Sequence, residues 1–300
     1  MHTSEPDYGG RLPKQRLHFP QLARRFSGVL SSRDNATANF EATQSPCSAC
    51  SNDLAKESKF PFGPIDAPTN RRASRTSNDD SIHKYWGQRF RLVSKFIPDL
   101  ELTKQAWFSI TPEEIAKHMM SRIASLSRAL GRKIRVLDPM CGSGASAAQC
   151  ALMEEVEQVF ASDVLASEVS CTKRMAALYG VESKISFRVS DLDASMFGTQ
   201  IDAVLLCPPW GGPAYQTGTN DIAAMDPGYE KLLEFCARFS RNIAVLMPRN
   251  LAFDQVPRTA AAASSVEGVE IETNFLGRKI KTASLYYGGL VNNNIRKASS

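Results

Sequence analysis

Hydrophobic residues in the second half of the chain follow two alternating patterns. Short apolar runs with the length of buried strands alternate with segments whose apolar residues recur at helical spacing. The seven predicted strands are 134–138, 158–163, 184–190, 202–207, 242–247, 269–275 and 282–287. The predicted helices between them are 144–155, 167–179 and 229–239. Repeated strand–helix units indicate an α/β fold with a mostly parallel seven-stranded sheet, and the last two strands, joined by a short basic turn, indicate an antiparallel edge.

A helical extension is predicted before the first strand, over residues 81–130. Apolar residues of its first part recur at helical spacing and would share one face, namely Ile82, Tyr85, Trp86, Phe90, Val93 and Phe96. Its second part is predicted to be a helix over 112–130. Thr111 would be the N-cap, Pro112 the first helical residue and Glu114 the third, which is the pattern of a capping box.

Both ends of the chain are predicted to be disordered. Residues 1–80 are rich in Ser, Thr, Asn, Pro and Arg and sparse in aromatic and branched residues, so they cannot bury enough apolar surface to offset their ordering entropy. We therefore expect a disordered tail over 1–80, the helical extension over 81–130, the sheet domain over 131–291 and a short disordered tail over 292–300.

Composition narrows the class of protein further. Hydrophobic residues make up 43% of the chain, as in an ordinary globular protein, and no apolar run reaches the roughly 20 residues that span a membrane. Residues 1–30 lack a secretory pattern, so we expect an intracellular protein. The seven cysteines do not suggest a disulfide framework, and Cys47 and Cys50 have no second pair of zinc ligands near them, so no metal is expected. The net charge of +5 allows an anionic partner without requiring one.

A glycine turn follows the first predicted strand. Asp138 ends that strand, and Gly142 and Gly144 allow a tight turn and a close ligand approach at a helix N-terminus. An acid before such a turn suits a cofactor with a cationic head, and S-adenosyl-L-methionine carries both an ammonium and a sulfonium. Asp163 ends the second strand, where an acceptor for ribose hydroxyls belongs, and Asp191 ends the third, where it would accept from an adenine amine. Acids at three successive strand ends predict a site for this cofactor.

The fourth predicted strand ends in a proline pair and a tryptophan. Pro208 and Pro209 stop the strand and stiffen the turn after Cys207, and Trp210 follows at the carboxyl end, where open α/β sheets bind ligands. The glycines at 211–212 let the backbone come close to a flat molecule. This pattern is typical of a site that holds a planar base beside a cofactor; the alternative is an ordinary strand end with a buried tryptophan.

Over residues 83–290 the chain resembles the trimethylguanosine synthase family, the RNA cap guanine-N2 methyltransferases. The matching motifs, in the family's order, are Lys84-Tyr85-Trp86-x-Gln88-Arg89, Trp107-Phe108-Ser109-x-Thr111-Pro112-Glu113, Asp138-x-x-Cys141-Gly142-x-Gly144, Cys207-Pro208-Pro209-Trp210-Gly211-Gly212-Pro213-x-Tyr215 and Pro248-Arg249-Asn250. The tryptophan after Pro-Pro, together with Lys-Tyr-Trp, distinguishes this family from a generic methyltransferase.

The resemblance implies a Rossmann-like class I S-adenosylmethionine-dependent methyltransferase that needs no metal. Its substrate would be the 7-methylguanosine cap of small nuclear and nucleolar RNAs, which the family converts to the 2,2,7-trimethylguanosine form with one cofactor molecule for each methyl group. It also implies a nuclear protein, with the nucleolus as a second location, that ribonucleoprotein (RNP) proteins recruit to capped RNA.

The resemblance further implies a role for each matching residue. The residues that would contact the cofactor are Ser109, Thr111, Asp138, Gly142, Gly144, Asp163 and Asp191. Trp210 would stack on the methylated guanine beside Pro209, and the cap phosphates would be held by Lys84, Tyr215 and Arg249. Backbone carbonyls at Cys207 and Pro208 would accept the protons of the reacting N2 amine.

Three positions depart from the family's pattern. Cys207 stands where the family has serine, Val93 where it often has an aromatic residue, and Leu165 where a second acid often follows the ribose-binding one. Two alternatives therefore stay open on sequence alone. One is another Rossmann amino-methyltransferase, acting on guanine N2 or adenine N6 within RNA or DNA; the other is a cap-binding module that transfers nothing.

Overall fold

The computed structural model describes residues 16–17, 80–192, 200–210, 222, 225, 227–257, 259 and 268–291. The strands are β1 (Arg16–Leu17), β2 (Ile134–Asp138), β3 (Val156–Asp163), β4 (Ile185–Val189), β5 (Ala203–Leu206), β6 (Ile243–Pro248), β7 (Glu270–Leu276) and β8 (Lys279–Tyr286). The α-helices are α1 (Asp80–Trp86), α2 (Arg89–Leu92), α3 (Lys104–Ser109), α4 (Glu113–Leu130), α5 (Ala145–Ala151), α6 (Ala166–Tyr179) and α7 (Tyr229–Ala237). Short 3-10 turns cover Glu182–Lys184 and Gly288–Leu290.

Within the described ranges, the strands form one sheet in the order β1-β7-β8-β6-β5-β2-β3-β4. Strands β2 to β6 are parallel to one another, whereas β8 runs antiparallel to β6 and to β7. These strands confirm the predicted mostly parallel seven-stranded sheet with an antiparallel edge. The two-residue strand β1 adds an eighth, antiparallel to β7.

The central strands are apolar along their whole length because helices cover both faces of the sheet. All of β5 and β6 is buried. Alternate residues of β5 face opposite cores: Leu205 packs with α4, α5 and α6, whereas Leu206 packs with α7. The sheet thus lies between two apolar layers, and its carboxyl edge is left for a site. The structure describes no helix long and apolar enough to cross a membrane.

The helical extension differs from the sequence prediction at its start. The continuous apolar face over 82–96 is wrong, because α1 ends at Trp86 and α2 begins at Arg89. Gly87 N–H donates to the carbonyl of His83 and closes the first helix, and the backbone then turns before α2. The break rotates Phe90 out of the predicted face, so that its side chain is 58% exposed.

The predicted capping box is also wrong. Helix α4 begins at Glu113, and Pro112 is its N-cap, without a side-chain hydrogen bond. The carbonyl of Pro112 accepts the first hydrogen bonds of the helix, from the N–H groups of Ile115 and Ala116. Helix α5 is shorter than predicted and ends at Ala151.

Candidate active site at the carboxyl edge of the sheet

The candidate site lies where the strand order reverses. From β2 the chain proceeds outward through β3 and β4, then returns to place β5 on the other side of β2. The connections on the two sides leave the sheet in opposite directions, which opens a crevice at the carboxyl ends of β2 and β5. Asp138 ends β2 and Cys207 follows β5, so the predicted cofactor turn and the predicted base-binding turn flank one crevice.

Asp138 is buried in a way that suits a cationic ligand. The residue is 1% exposed, and among the residues that the structure describes its Oδ1 has no hydrogen-bond partner. Burial, reinforced by the nearby charge of Asp163, raises the pKa of this carboxyl to about 8. An ammonium beside Oδ1 would satisfy the oxygen and stabilise the ionised form.

The glycine turn has the conformation that its sequence predicts. Gly142 and Gly144 have φ values of 48° and 76°, in the left-handed region that favours glycine. A Cβ on Gly144 would come within 2.5 Å of the Thr172 Cα, so the turn packs directly against α6. Gly142 N–H donates to Asp163 Oδ2 at 3.1 Å, so this acid also holds the turn in place.

Asp163 and Asp191 lie at neighbouring strand ends. Asp163 Oδ1 accepts from the N–H of Leu165, and burial raises the pKa of the Asp163 carboxyl. Each of its oxygens retains a second lone pair for a ribose hydroxyl. Ser190 N–H donates to the carbonyl of Asp163, which places the exposed Asp191 one residue further along the same edge.

Glu168 is a site residue that sequence reasoning missed. It lies in the first turn of α6, is 3% exposed, and its Oε2 has no partner in the described part of the chain. A Cβ on Gly142 would lie 4.0 Å from Glu168 Oε2 and 3.8 Å from Ser109 Oγ, so both side chains face the turn. Thr103 Oγ1 donates to Glu168 Oε1 at 2.5 Å, and burial, followed by the charge of Asp163, raises the pKa of Glu168 to about 7.

The sequence carries a weak signal for Glu168. An acid in the first turn of a helix is ordinarily explained by the helix dipole, so its position alone does not indicate a ligand.

These residues fit S-adenosylmethionine. Asp138 and Glu168 each have a buried carboxylate oxygen without a hydrogen-bond partner in the described ranges, and Glu168 Oε2 and Ser109 Oγ both face Gly142, which has no side chain. A positively charged amino-acid head is the kind of group that such oxygens bind. Thr111 is buried close to the thiol of Cys207, whose pKa it lowers slightly against the effect of burial. The described residues hold no cluster of His, Cys, Asp or Glu arranged for a metal ion.

Cys207 and Trp210 form the opposite wall of the crevice. The thiol of Cys207 is enclosed although the residue as a whole is partly exposed, and burial raises its pKa to about 12. Its Sγ lies 3.8 Å from Ser146 Oγ. Pro208 is buried and Pro209 half-buried. The indole Nε1 of Trp210 donates to the carbonyl of Leu246 in β6, so the half-buried ring is anchored on the sheet.

Lys84 and Arg249 approach the site from different elements. Lys84 lies in the last turn of α1, which is fixed to α3 by ring contacts between Tyr85 and Phe108 at 5.5 Å. Arg249 follows directly after β6, and both residues are exposed. Tyr215, predicted to contact the same phosphates, lies outside the described residues, as do Cys47 and Cys50.

The chain is similar in sequence to known methyltransferases. Residues 133–289 match the sequence model of a family described as RNA cap guanine-N2 methyltransferase. A trimethylguanosine synthase from Saccharomyces cerevisiae is 29% identical over 197 residues, which cover 62% of this chain and 60% of that protein. A second, from Schizosaccharomyces pombe, is 26% identical over 206 residues, covering 65% of this chain and 81% of the relative. The chain therefore spans less than two thirds of the budding-yeast protein.

Proposed function

Because this chain belongs to the RNA cap guanine-N2 methyltransferase family, we propose that it methylates N2 of the 7-methylguanosine cap and yields the 2,2,7-trimethylguanosine form. The observation that carries the proposal is the crevice between β2 and β5. On one side lie buried acids with unpartnered oxygens within the described ranges, and on the other lies an anchored tryptophan after Pro-Pro. This arrangement supports a cationic cofactor and a flat base held side by side.

The acidic side of the crevice binds the methyl donor. When bound, S-adenosylmethionine supplies an electrophilic methyl group on a sulfonium. Asp138 and Glu168 would hold its charged head, since each has a buried oxygen without a hydrogen-bond partner among the described residues. Asp163 and Asp191 would accept hydrogen bonds from the nucleoside part of the cofactor. Ser109 and Thr111 would line the rest of the cofactor site.

Trp210 binds the cap guanine by stacking. Methylation at N7 makes the guanine cationic, so the indole face gains a cation–π interaction of roughly 0.5–2 kcal/mol. The hydrogen bond from Trp210 to Leu246 fixes the plane of the ring. A cap without the N7 methyl group lacks the positive charge and is a poorer ligand for the same surface.

The reacting amine is oriented rather than deprotonated beforehand. The lone pair of guanine N2 is delocalised into the ring, so rate is gained by holding the amine in line with the methyl group, at about 3–3.5 Å. The backbone carbonyls of Cys207 and Pro208 accept hydrogen bonds from the N–H groups of this amine. The Cys207 thiol, with its pKa raised by burial to about 12, stays neutral and does not act as a base. After transfer the methylated amine is positively charged and therefore acidic, so it loses its proton readily to solvent.

Lys84 and Arg249 hold the phosphate bridge of the cap, together with Tyr215. Charge-assisted contacts to phosphate oxygens position a substrate without reading its sequence. The substrates in the cell are small nuclear and nucleolar RNAs in the nucleus, including the nucleolus, where RNP proteins present them.

The test is methyl transfer from labelled S-adenosylmethionine to three acceptors, with the products resolved by mass. The acceptors are the 7-methylguanosine cap dinucleotide, the unmethylated cap dinucleotide and uncapped RNA. Gains of one and two methyl groups on the 7-methylated cap are expected. Transfer to uncapped RNA would instead indicate an enzyme that acts on internal bases. Cap binding without transfer would indicate a binding module.

A further inference from the structure

A second group of cations extends the site beyond the cap phosphates. Strand β8 is antiparallel to β6, and Thr282 pairs with Pro248. The turn between β7 and β8 therefore lies at the same edge of the sheet as the candidate site. Lys281 precedes Thr282 and Arg249 follows Pro248, so this register places the two cations side by side.

Arg91 joins this group from α2. A Cβ on Gly277, at the β7–β8 turn, would lie 3.2 Å from Arg91 Nη2, so the guanidinium rests against the turn. Gly277 has a φ of 64°, which suits glycine and leaves the approach open. We call Arg91, Lys279 and Lys281 the hairpin surface. Phe90, which precedes Arg91 in α2, is 58% exposed.

Among the described residues, no acid forms an ion pair with the positive charges of this region. Within the ranges that the structure describes, Lys84, Arg249 and the three residues of the hairpin surface form no ion pair. Burial lowers the pKa of Lys281, and the charges of Lys84, Arg91, Arg249 and Lys279 lower it further. Like charges this close repel one another, and an anionic ligand that lies across several of them relieves the repulsion.

We propose that the hairpin surface binds the phosphates of the single-stranded RNA directly 3′ of the cap, with Phe90 as a face on which a base stacks. The proposal rests on the proposed function, because Lys84 and Arg249 at the cap phosphates set where the RNA begins. The next phosphates then meet the cations that continue from Arg249 through Lys281 to Arg91. Clustered cations beside an exposed aromatic ring are typical of single-strand binding without sequence preference, and the Arg89 guanidinium, 4.6 Å from the centroid of the Phe90 ring, adds a further cation there.

The experiment compares the cap dinucleotide with a capped RNA about twelve nucleotides long, a length within the span of one single-strand site. KM for methylation is measured for both substrates, with the wild type and with an Arg91→Gln/Lys279→Gln/Lys281→Gln variant. For the wild type we expect a KM for the longer RNA that is lower by roughly tenfold at low salt. The triple variant should lose this advantage, so that its KM values for the longer RNA and for the dinucleotide become similar.

Salt dependence supplies a second readout. Removal of three phosphate contacts to a single strand should lower the slope of log affinity against log salt by about 2. The matched control is Arg128→Gln/Lys133→Gln/Arg241→Gln, which removes equal charge from exposed positions in the last turn of α4 and at the amino ends of β2 and β6. This control should retain the length advantage and the salt slope. The thermal midpoint and cofactor affinity of each variant show that it is folded, and Arg91→Gln/Lys279→Gln replaces the triple variant if Lys281→Gln unfolds the protein.

The outcomes separate the two proposals. Dinucleotide methylation with no length advantage in the wild type, or with an advantage that the triple variant keeps, overturns the RNA surface and leaves the proposed function standing. Competition by polyglutamate and not by polyuridylate would show an acidic protein partner and overturn it as well. No methylation of either capped substrate overturns the proposed function, and the RNA surface falls with it.

Discussion

The indole Nε1 of Trp210 donates a hydrogen bond of 3.2 Å to the carbonyl oxygen of Leu246. Leu246 lies in β6, beside the strand that carries Trp210 at its end, so the ring is tied to a neighbouring strand and not only to its own turn. In the stacking role proposed for Trp210, a ring fixed in this way would orient a flat base before it binds, which would lower the cost of ordering the complex.

Replacement of Trp210 should separate binding of the cap from binding of the cofactor. For Trp210→Ala we expect kcat/KM for the 7-methylated cap to fall by about a hundredfold or more, since both stacking and positioning are lost. Cofactor affinity, measured by calorimetry, should stay nearly unchanged. Trp210→Phe is the matched control, because it keeps a stacking face and removes the hydrogen bond to Leu246. A loss of cofactor affinity in Trp210→Ala would contradict the stacking role.

Cofactor affinity should rise with pH through about 8. In the free protein the pKa of Asp138 is raised to about 8 by burial and by the charge of Asp163, so its carboxyl is mostly protonated at pH 7. A cationic head binds the ionised carboxylate, so affinity should fall by about tenfold for each pH unit below 8. Calorimetry between pH 6 and 8, in buffers of different ionisation enthalpy, should show proton release on binding.

Asp138→Asn is the control for this pH dependence. The variant should bind the cofactor weakly, and the part of the pH dependence that belongs to Asp138 should disappear. The stability of the cofactor-free protein should depend on pH in the opposite direction. Because the pKa of Asp138 is higher in the folded protein than in the unfolded chain, the free energy of unfolding should fall as pH rises from the unfolded pKa near 4 toward the folded pKa of about 8. Asp138→Asn should remove that loss of stability. A wild-type affinity that does not change between pH 6 and 8 would contradict the assignment of Asp138.

The parallel strands and their terminal acids could be predicted from the sequence, whereas contacts between separate helices could not. Asp138, Asp163 and Asp191 follow short apolar runs, and parallel strands bring their carboxyl ends to one edge, so the pattern along the chain is sufficient. Glu168 and Arg91 depend on how α6 and α2 pack against turns far away in the sequence. The spacing of apolar residues along the chain does not predict such packing.

The wrong predictions near the start of the domain arose because local spacing does not determine the structure there. The apolar spacing of 82–96 is compatible with one helix, and a single glycine in a helix costs only about 1 kcal/mol, so Gly87 does not by itself predict a break. Tertiary contacts decide the outcome: Trp86 packs against Trp107, whereas Val93 is buried in the main core after the turn. The sequence predicts Thr111 as an N-cap, but Pro112 takes that position, and Thr111 is buried close to the thiol of Cys207.

Glu168→Gln should weaken the cofactor complex without unfolding the protein. The substitution removes the charge and keeps the shape, so we expect a loss of affinity for S-adenosylmethionine of about tenfold or more. Glu230→Gln is the matched control, since Glu230 also lies in the first turn of a helix but is exposed. If both variants change affinity and thermal midpoint equally, Glu168 acts only on its helix and not on the ligand.

Glu113 should stabilise the folded protein except in strong acid. Burial acts to raise its pKa, but hydrogen bonds from Lys117, Tyr179 and Ser94 outweigh it and lower the pKa to about 2. These bonds connect α4 to α6 and to the residues after α2. We expect Glu113→Gln to lower the free energy of unfolding by about 2 kcal/mol at pH 7.

The sign of the pH effect provides the control for Glu113. A depressed folded pKa contributes stability above the unfolded value of 4.5, and this stability is lost as pH falls toward 2. Urea unfolding of the wild type and of Glu113→Gln should therefore converge between pH 4 and 2. A difference that stays constant over this range would assign the loss to packing and not to the charge.

Cys207→Ser should leave cap methylation within about threefold of the wild type, because the role assigned to this residue belongs to its backbone carbonyl and a thiol is a weak hydrogen-bond partner. The pKa of the thiol, raised by burial to about 12, keeps it neutral, so the pH profiles of kcat for wild type and Cys207→Ser should coincide between pH 6 and 9. Cys207→Val, of similar size and without a polar group, should also retain activity. Collapse of turnover in both variants would show that the sulfur itself takes part, and would move the role at this position from the main chain to the side chain.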